Sequence, residues 1–236
     1  MLKWVVFDFG DTLSDDNFMR RKLYENKERS KILKKFGVDA SEDRIRCVTE
    51  EKRRKMWGKM ERHKINSLDL VAREQGFFLS AGQRARLVKL YEQAHLKYSK
   101  PLKNAHKILD FIKQKKLRLA LISNNTPERL DKRIEQLGFK NKFKIVMTSV
   151  QVGGEKSSLF PFMVFLARAN KFVETKPEEV LMVGDRGDED LAASLLGMRT
   201  VLLEGRSRGF KKMKGVKPEF KIKNLIELKK IINELA

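Results

Sequence analysis

A doubly wound, parallel α/β sheet with a bundle of helices inserted after its first strand is the fold this sequence predicts. Three observations predict it. An apolar run, Trp4 to Phe7, stops at an acid, Asp8; a stretch of helical spacing follows from Asn17 to about Tyr98; and helix and strand then alternate to the end. Alternation of that kind builds parallel sheets through right-handed crossovers.

Each element has a local reason. Residues Trp4 to Phe7 are β-branched or aromatic without interruption, as in a strand buried on both faces. In the helical stretch, Gly37 and Gly76 mark stops, and Ser41 and Ser67 mark starts, because glycine tolerates the turn beyond a helix and serine caps its first amides. Leu87, Leu90, Tyr91, Ala94 and Tyr98 share one face of the last segment. About four packed helices are expected. Beyond them, "AHKILDFIKQKK" is amphipathic, "LRLALIS" is a strand ending at Ser123, and Thr126 with Pro127 opens a helix as N-cap and first position. "FKIVMTS", "EEVLMVGD", "RTVLL" and "EFKI" are further strands, and "NLIELKKIINEL" is the closing helix. The expected division is a core of residues 1–14 and 99–236 and a helical insertion of residues 15–98.

Bulk properties narrow the function. The 236 residues suit one α/β core with an elaboration. Cys47, the single cysteine, excludes an internal disulfide framework and a cysteine metal cluster. No run of about 18 apolar residues spans a membrane, and with Met1 leading into a strand no secretory leader is expected, so the chain reads as cytoplasmic. The formal charge of +21 comes from Lys and Arg dispersed among acids. Blocks such as Lys52 to Lys59 read as wet helix faces, which makes nucleic acid the lesser reading and a small anionic substrate the leading one. His63, His95 and His106 lack metal-ligand spacing. Trp57, Phe77 and Phe78 read as bundle packing. "VGGEK" lacks the spacing of a phosphate loop and reads as a turn. The oligomeric state is not written in the sequence.

In a doubly wound sheet, polar residues at strand ends converge on one crevice, here Asp8, Ser123, Lys156 from a loop, and Asp185. That set suits phosphoryl transfer: an aspartate attacks phosphorus, Mg2+ held by carboxylates screens the approach of two anions, and a lysine and a hydroxyl bind the remaining oxygens.

The motifs carrying this set, "FDFGDTL", "LALISNN", "SVQVGGEKSS" and "EEVLMVGDRGDEDLAASLLGM", stand in the order of the haloacid dehalogenase-like (HAD) superfamily, which the chain resembles over nearly its whole length, down to "PEFKIKNLIELKKII". The resemblance implies a Rossmann-like core with a helical cap and a Mg2+-dependent phosphatase acting on a small phosphorylated metabolite through an aspartyl phosphate. It implies Asp8 as nucleophile, with Thr12 in the same motif among the catalytic residues. Ser123 and Lys156 would hold the phosphoryl group with Asn124, whose backbone amide adjoins the hydroxyl. The metal would sit on Asp8, Asp185 and the backbone carbonyl of Gly10. The second acid of the last motif is open between Glu189 and Asp190, with Asp188 a third contender.

Two departures matter. Where the family has D-x-D-G-T, this chain has Gly10 and Asp11 reversed, so the side chain that transfers protons to the leaving group and from water is missing, a contribution of roughly 10² to 10⁴ in rate. Asp11, as the neighbouring residue, points elsewhere. Lys156 is followed by "SSLF" in place of a proline-containing turn. Two rival readings follow. One is a catalytically weakened scaffold that binds nucleic acid or an acidic partner through its basic surface. The other is a 2-haloacid dehalogenase, whose metal-free chemistry leaves the acids of the last motif without a task.

Overall fold

The computed structural model describes residues 1–56, 59, 66–206 and 216–236; Trp57 and His63 lie outside the described residues. Among the described residues six strands form one sheet: β1 (Trp4–Phe7), β2 (Arg118–Ser123), β3 (Ile145–Thr148), β4 (Val180–Gly184), β5 (Arg199–Leu203) and β6 (Phe220–Ile222). Their order is β3-β2-β1-β4-β5-β6 and every pairing is parallel. The doubly wound parallel sheet expected from the sequence is therefore present. The order reverses between β1 and β4, and such a switch point opens a crevice beyond the carboxyl ends of the two strands.

The described residues group into two compact units, Met1–Asp16 with Lys100–Ala236, and Asn17–Ser99. Within the Asn17–Ser99 unit and the residue before it lie α1 (Asp16–Glu25), α2 (Glu28–Lys34), α3 (Glu42–Lys55), α4 (Ser67–Glu74) and α5 (Ala81–Lys97). Five helices are thus described where about four were expected. The extra break falls at Lys27, whose backbone takes a left-handed turn (φ 50°) with neither glycine nor proline to announce it. Gly37 and Gly76 do stand beyond helix ends with positive φ, and Ser41 caps α3 by accepting the Arg44 amide at 3.1 Å. The start of α4 is shifted: its cap is Asn66, whose Oδ1 accepts the Leu68 amide at 2.8 Å, and Ser67 is the first helical residue. Asparagine caps as well as serine does. Leu87 and Ala94 of α5 are buried with Leu33, Ile45 and Val71, and Leu90, Tyr91 and Tyr98 pack on the same core.

Around the sheet lie α6 (Ala105–Gln114), α7 (Pro127–Gln136), the short α8 (Ser149–Val152), α9 (Phe160–Ala169) and α10 (Leu228–Leu235). Successive strand residues point to opposite faces. Val5, Phe7, Leu121 and Val183 accordingly meet Ile108, Leu130 and Ile232 of α6, α7 and α10, while Trp4, Val6, Ile122 and Met182 meet Phe162 and Phe165 of α9. Trp4 is fully buried and satisfies its indole by donating to Thr175 Oγ1 at 3.2 Å. Both described histidines pack on rings, His95 on Tyr91 and His106 on Phe139. No helix among the described residues is long and apolar enough to cross a membrane.

Candidate active site

Register places the polar strand ends on one rim. Phe7 is level with Val183 of β4 and with Leu121 of β2, and the Asp8 amide continues the ladder by donating to the Val183 carbonyl at 2.9 Å. Asp8, Asp185 and Ser123 therefore lie one or two residues past a common line at the switch point. All three are buried, at 7, 4 and 4 % exposure.

Lys156 opens a one-turn 3₁₀ helix, Lys156–Ser158, after the left-handed Gly153. Its ammonium donates to Asp8 Oδ1 at 2.5 Å and to Asp190. The loop is fastened at its base as well, since the Lys156 amide donates to Asn124 Oδ1 at 3.1 Å. The tie runs from the end of β2 to the lysine, so Asn124 contributes its side chain here. Asn124 Nδ2 and the fully buried Thr12 Oγ1 have no hydrogen-bond partner among the described residues. Buried donors in that state call for an acceptor.

Asp8, Asp185 and Asp190 bring carboxylate oxygens within 4.8 Å of one another. The other two acids of the stretch pair with Arg186: Asp188 accepts from its guanidinium at 3.0 and 2.6 Å, and Glu189 lies 3.3 Å from the same group. Asp190 is fixed from its other oxygen, which accepts the Arg186 amide at 2.9 Å. It heads a 3₁₀ stretch, Leu191–Leu196.

The electrostatics follow from one ammonium facing three buried carboxylates. Burial pushes Asp8 up to about 7 against the pull of Lys156, with Asp190 adding repulsion. Asp185 is pushed up to about 9 by burial and by the charges of Asp8, Asp190 and Asp11. Burial also raises Asp190, against Lys156. Burial works against the charge on Lys156, but Asp190 and Asp8 outweigh it and hold the ammonium charged well above its ordinary range. Lys156 pairs with Asp8 and Asp190, whereas Asp185 has no ion pair among the described residues. A hard divalent cation suits this donor set: oxygen ligands only, and negative charge that the lysine leaves uncompensated.

Gly184 makes room for the cluster. A methyl group there would overlap Asp190 Oδ2 and sit 2.5 Å from its Cβ, too close for the carboxylate to stay. The backbone needs no left-handed turn, so the requirement is purely one of space. Gly184→Ala is expected to keep the fold and lower kcat by about 10²-fold or more, the scale on which an ångström-scale displacement near a reacting centre acts. Turnover measured beside a thermal melt checks this.

Three features escaped the sequence reading. Gly10 carries no side chain, and a Cβ built on it would meet Asp16 Oδ2 at 3.0 Å. Asp16 is itself held by Arg133 and by the Ser14 hydroxyl. Asp11 takes a left-handed backbone (φ 59°), with Arg206 at 3.7 Å. The pairing of Asp16 with Arg133 crosses 117 residues of chain, and no local pattern signals it.

A parallel sheet with this order and this acid and lysine rim defines a class, and the match of the haloacid dehalogenase-like hydrolase family over residues 5–203 establishes it: the chain belongs to that family. It is 26 % identical, over all of its length and 99 % of the relative's, to a glyceraldehyde 3-phosphate phosphatase of Methanopyrus kandleri. Among solved structures it resembles a HAD phosphatase from Thermococcus onnurineus (TM-score 0.69, 20 % identity, 98 % of both chains). It equally resembles the L-2-haloacid dehalogenase of Xanthobacter autotrophicus (TM-score 0.71, 18 % identity, both chains covered fully). Those two likenesses speak to the fold alone.

Proposed function

We propose that the chain is a Mg2+-dependent phosphatase that hydrolyses a small phosphate monoester through an aspartyl phosphate on Asp8. One observation carries the reading: the ammonium of Lys156 lies between Asp8 and Asp190, and Asp185, at the same strand ends, has no ion pair among the described residues. The phosphatase relative supports the reaction class, and glyceraldehyde 3-phosphate is the first ester to try. The inserted helical segment is read as the substrate-selecting cap of the family.

In this reading Lys156 holds Oδ1 of Asp8, and the other oxygen attacks phosphorus. Lys156, the Ser123 hydroxyl and Asn124 bind the phosphoryl oxygens, so charge that builds in the transition state meets donors already in place. Thr12 completes the loop around the nucleophile. Asp8, Asp185 and Asp190 would hold Mg2+, with Asp190 preferred to Glu189 because its oxygen joins the other two. Bound there, Mg2+ neutralises the carboxylates and the transferring group. Water then attacks the aspartyl phosphate and frees Asp8.

Phosphate release from 4-nitrophenyl phosphate and from glyceraldehyde 3-phosphate is expected only with Mg2+ and to stop on chelation. Turnover of 2-chloropropionate after chelation would replace this reading with a dehalogenase. Cation binding has a second readout. Folded Asp8 and Asp185, raised to about 7 and 9, carry protons that the unfolded chain loses near pH 4. Stability without the cation therefore falls as pH rises through that window. Mg2+ takes the place of those protons, so the melting temperature it adds is expected to be larger at pH 9 than at pH 5.

A further inference from the structure

Splitting a phosphate monoester of an ordinary alcohol leaves an alkoxide, a poor leaving group unless a proton reaches it as the bond breaks. Asp8, Lys156 and Asp190 are committed to one another, and Asp185 to the cation. Position 10, on the loop that follows β1, has no side chain to offer for that proton.

We infer that Asp16 supplies it: its Oδ2 stands 3.0 Å from where the first side-chain atom of residue 10 would be, so a carboxylate from the start of α1 fills the space that Gly10 leaves open. The assignment rests on the phosphatase reading above. Ser14 donates to Asp16 Oδ1 at 2.8 Å, Arg133 donates to both oxygens, and the bond to Oδ2, the oxygen facing Gly10, is the longer at 3.2 Å. Arg133 is itself 3 % exposed and lies over the Phe9 ring, its guanidinium carbon 4.8 Å from the centroid. Both oxygens of the carboxylate are thus held by donors. Of the other acids of the loop, Asp11 adds its charge to Asp185 and has Arg206 beside it, and Asp15 pairs with Arg206 and Lys100.

The protons balance over a turnover. As the Asp8–phosphorus bond forms and the ester bond breaks, the departing oxygen takes the proton of Asp16. As water bonds to phosphorus and the Asp8–phosphorus bond breaks, Asp16 takes a proton from that water. The proton taken in one turnover is the one given in the next.

Two esters separate this role from a structural one, with kcat/KM as the measure because it ends at departure of the alcohol. Asp16→Asn keeps the shape of the side chain and one oxygen that can still accept from Ser14 and Arg133. It is expected to lower kcat/KM for an alkyl phosphate at least about 10² times more than for 4-nitrophenyl phosphate, whose leaving group needs no proton. It should also release a stoichiometric burst of nitrophenolate, since water then attacks the aspartyl phosphate without a base. Moving the carboxylate back, in Gly10→Asp combined with Asp16→Ser, should restore the ratio of the two esters, while Asp11→Asn should not alter it. An active wild type in which Asp16→Asn lowers both esters equally and shows no burst would overturn the assignment and leave the phosphatase reading intact. So would a change of the ratio in Asp11→Asn. A wild type that turns over neither ester ends both.

Discussion

Asp8→Asn is expected to lower phosphate release by roughly 10⁴-fold or more, the scale on which loss of a covalent nucleophile acts. The amide matches the carboxylate in shape and can still accept the Lys156 proton, so the loss is chemical and not one of packing. An amide oxygen does not displace an alcohol from phosphorus, and no other described carboxylate is both bound to Lys156 and level with the β4 rim except Asp190, which is tied to the Arg186 amide. Stability should move the other way. The folded pKa of Asp8 is raised to about 7, chiefly by burial, so the wild-type carboxylate contributes most below pH 4 and that contribution is lost as pH rises to 7. Asparagine has no such loss. Without Mg2+, urea unfolding of the variant and the wild type should give similar midpoints near pH 4, with the variant gaining up to about pH 7. Phosphate release that survives the substitution would remove Asp8 from the mechanism.

What the sequence revealed, and what it withheld, divides along the distance between the residues involved. Strand ends are local: "WVVF" running into Asp8 and "VLMVG" running into Asp185 needed only an apolar run, an acid and the rule that parallel sheets gather their polar ends. The rim then follows from register. The acid that joins Asp8 and Asp185 was a different problem. Glu189 and Asp190 are adjacent, and on the tight turn that leads into Leu191–Leu196 one residue decides whether a carboxylate meets Lys156 or Arg186. No spacing rule resolves a single step on a turn of unknown pitch. The break at Lys27 was hidden because lysine carries no turn signal, and the cap at Asn66 because two competent cap residues stand side by side. Gly10 read as a loss in the sequence; only the contact between its open side and Asp16 shows that the space is used.

Lys156→Met carries the largest expected cost in stability. Methionine fills nearly the same volume, so what changes is the charge: Asp8 and Asp190, buried at 7 and 1 % exposure, lose the cation between them. Removing one partner of a buried ion pair costs about 3–5 kcal/mol, because the charge left behind has neither water nor a counter-ion. The two carboxyls, already raised by burial with the lysine present, would rise further without it. Near pH 4 both would be protonated and the penalty should largely vanish; it should grow as pH rises past about 7, where Asp8 of the wild type has ionised beside the lysine, and be large by pH 8. Urea unfolding at the two pH values, without Mg2+, reads the difference directly. Lys156→Arg is not expected to rescue it, since the site is 1 % exposed and a planar guanidinium does not fit the space of a compact ammonium. Added Mg2+ should recover much of the stability of Lys156→Met, by neutralising the same carboxylates, but little of its turnover, because the lysine also holds the phosphoryl oxygens. An equal loss of stability at pH 4 and pH 8 would mean that the lysine acts through packing, and the electrostatic account of the site would fail with it.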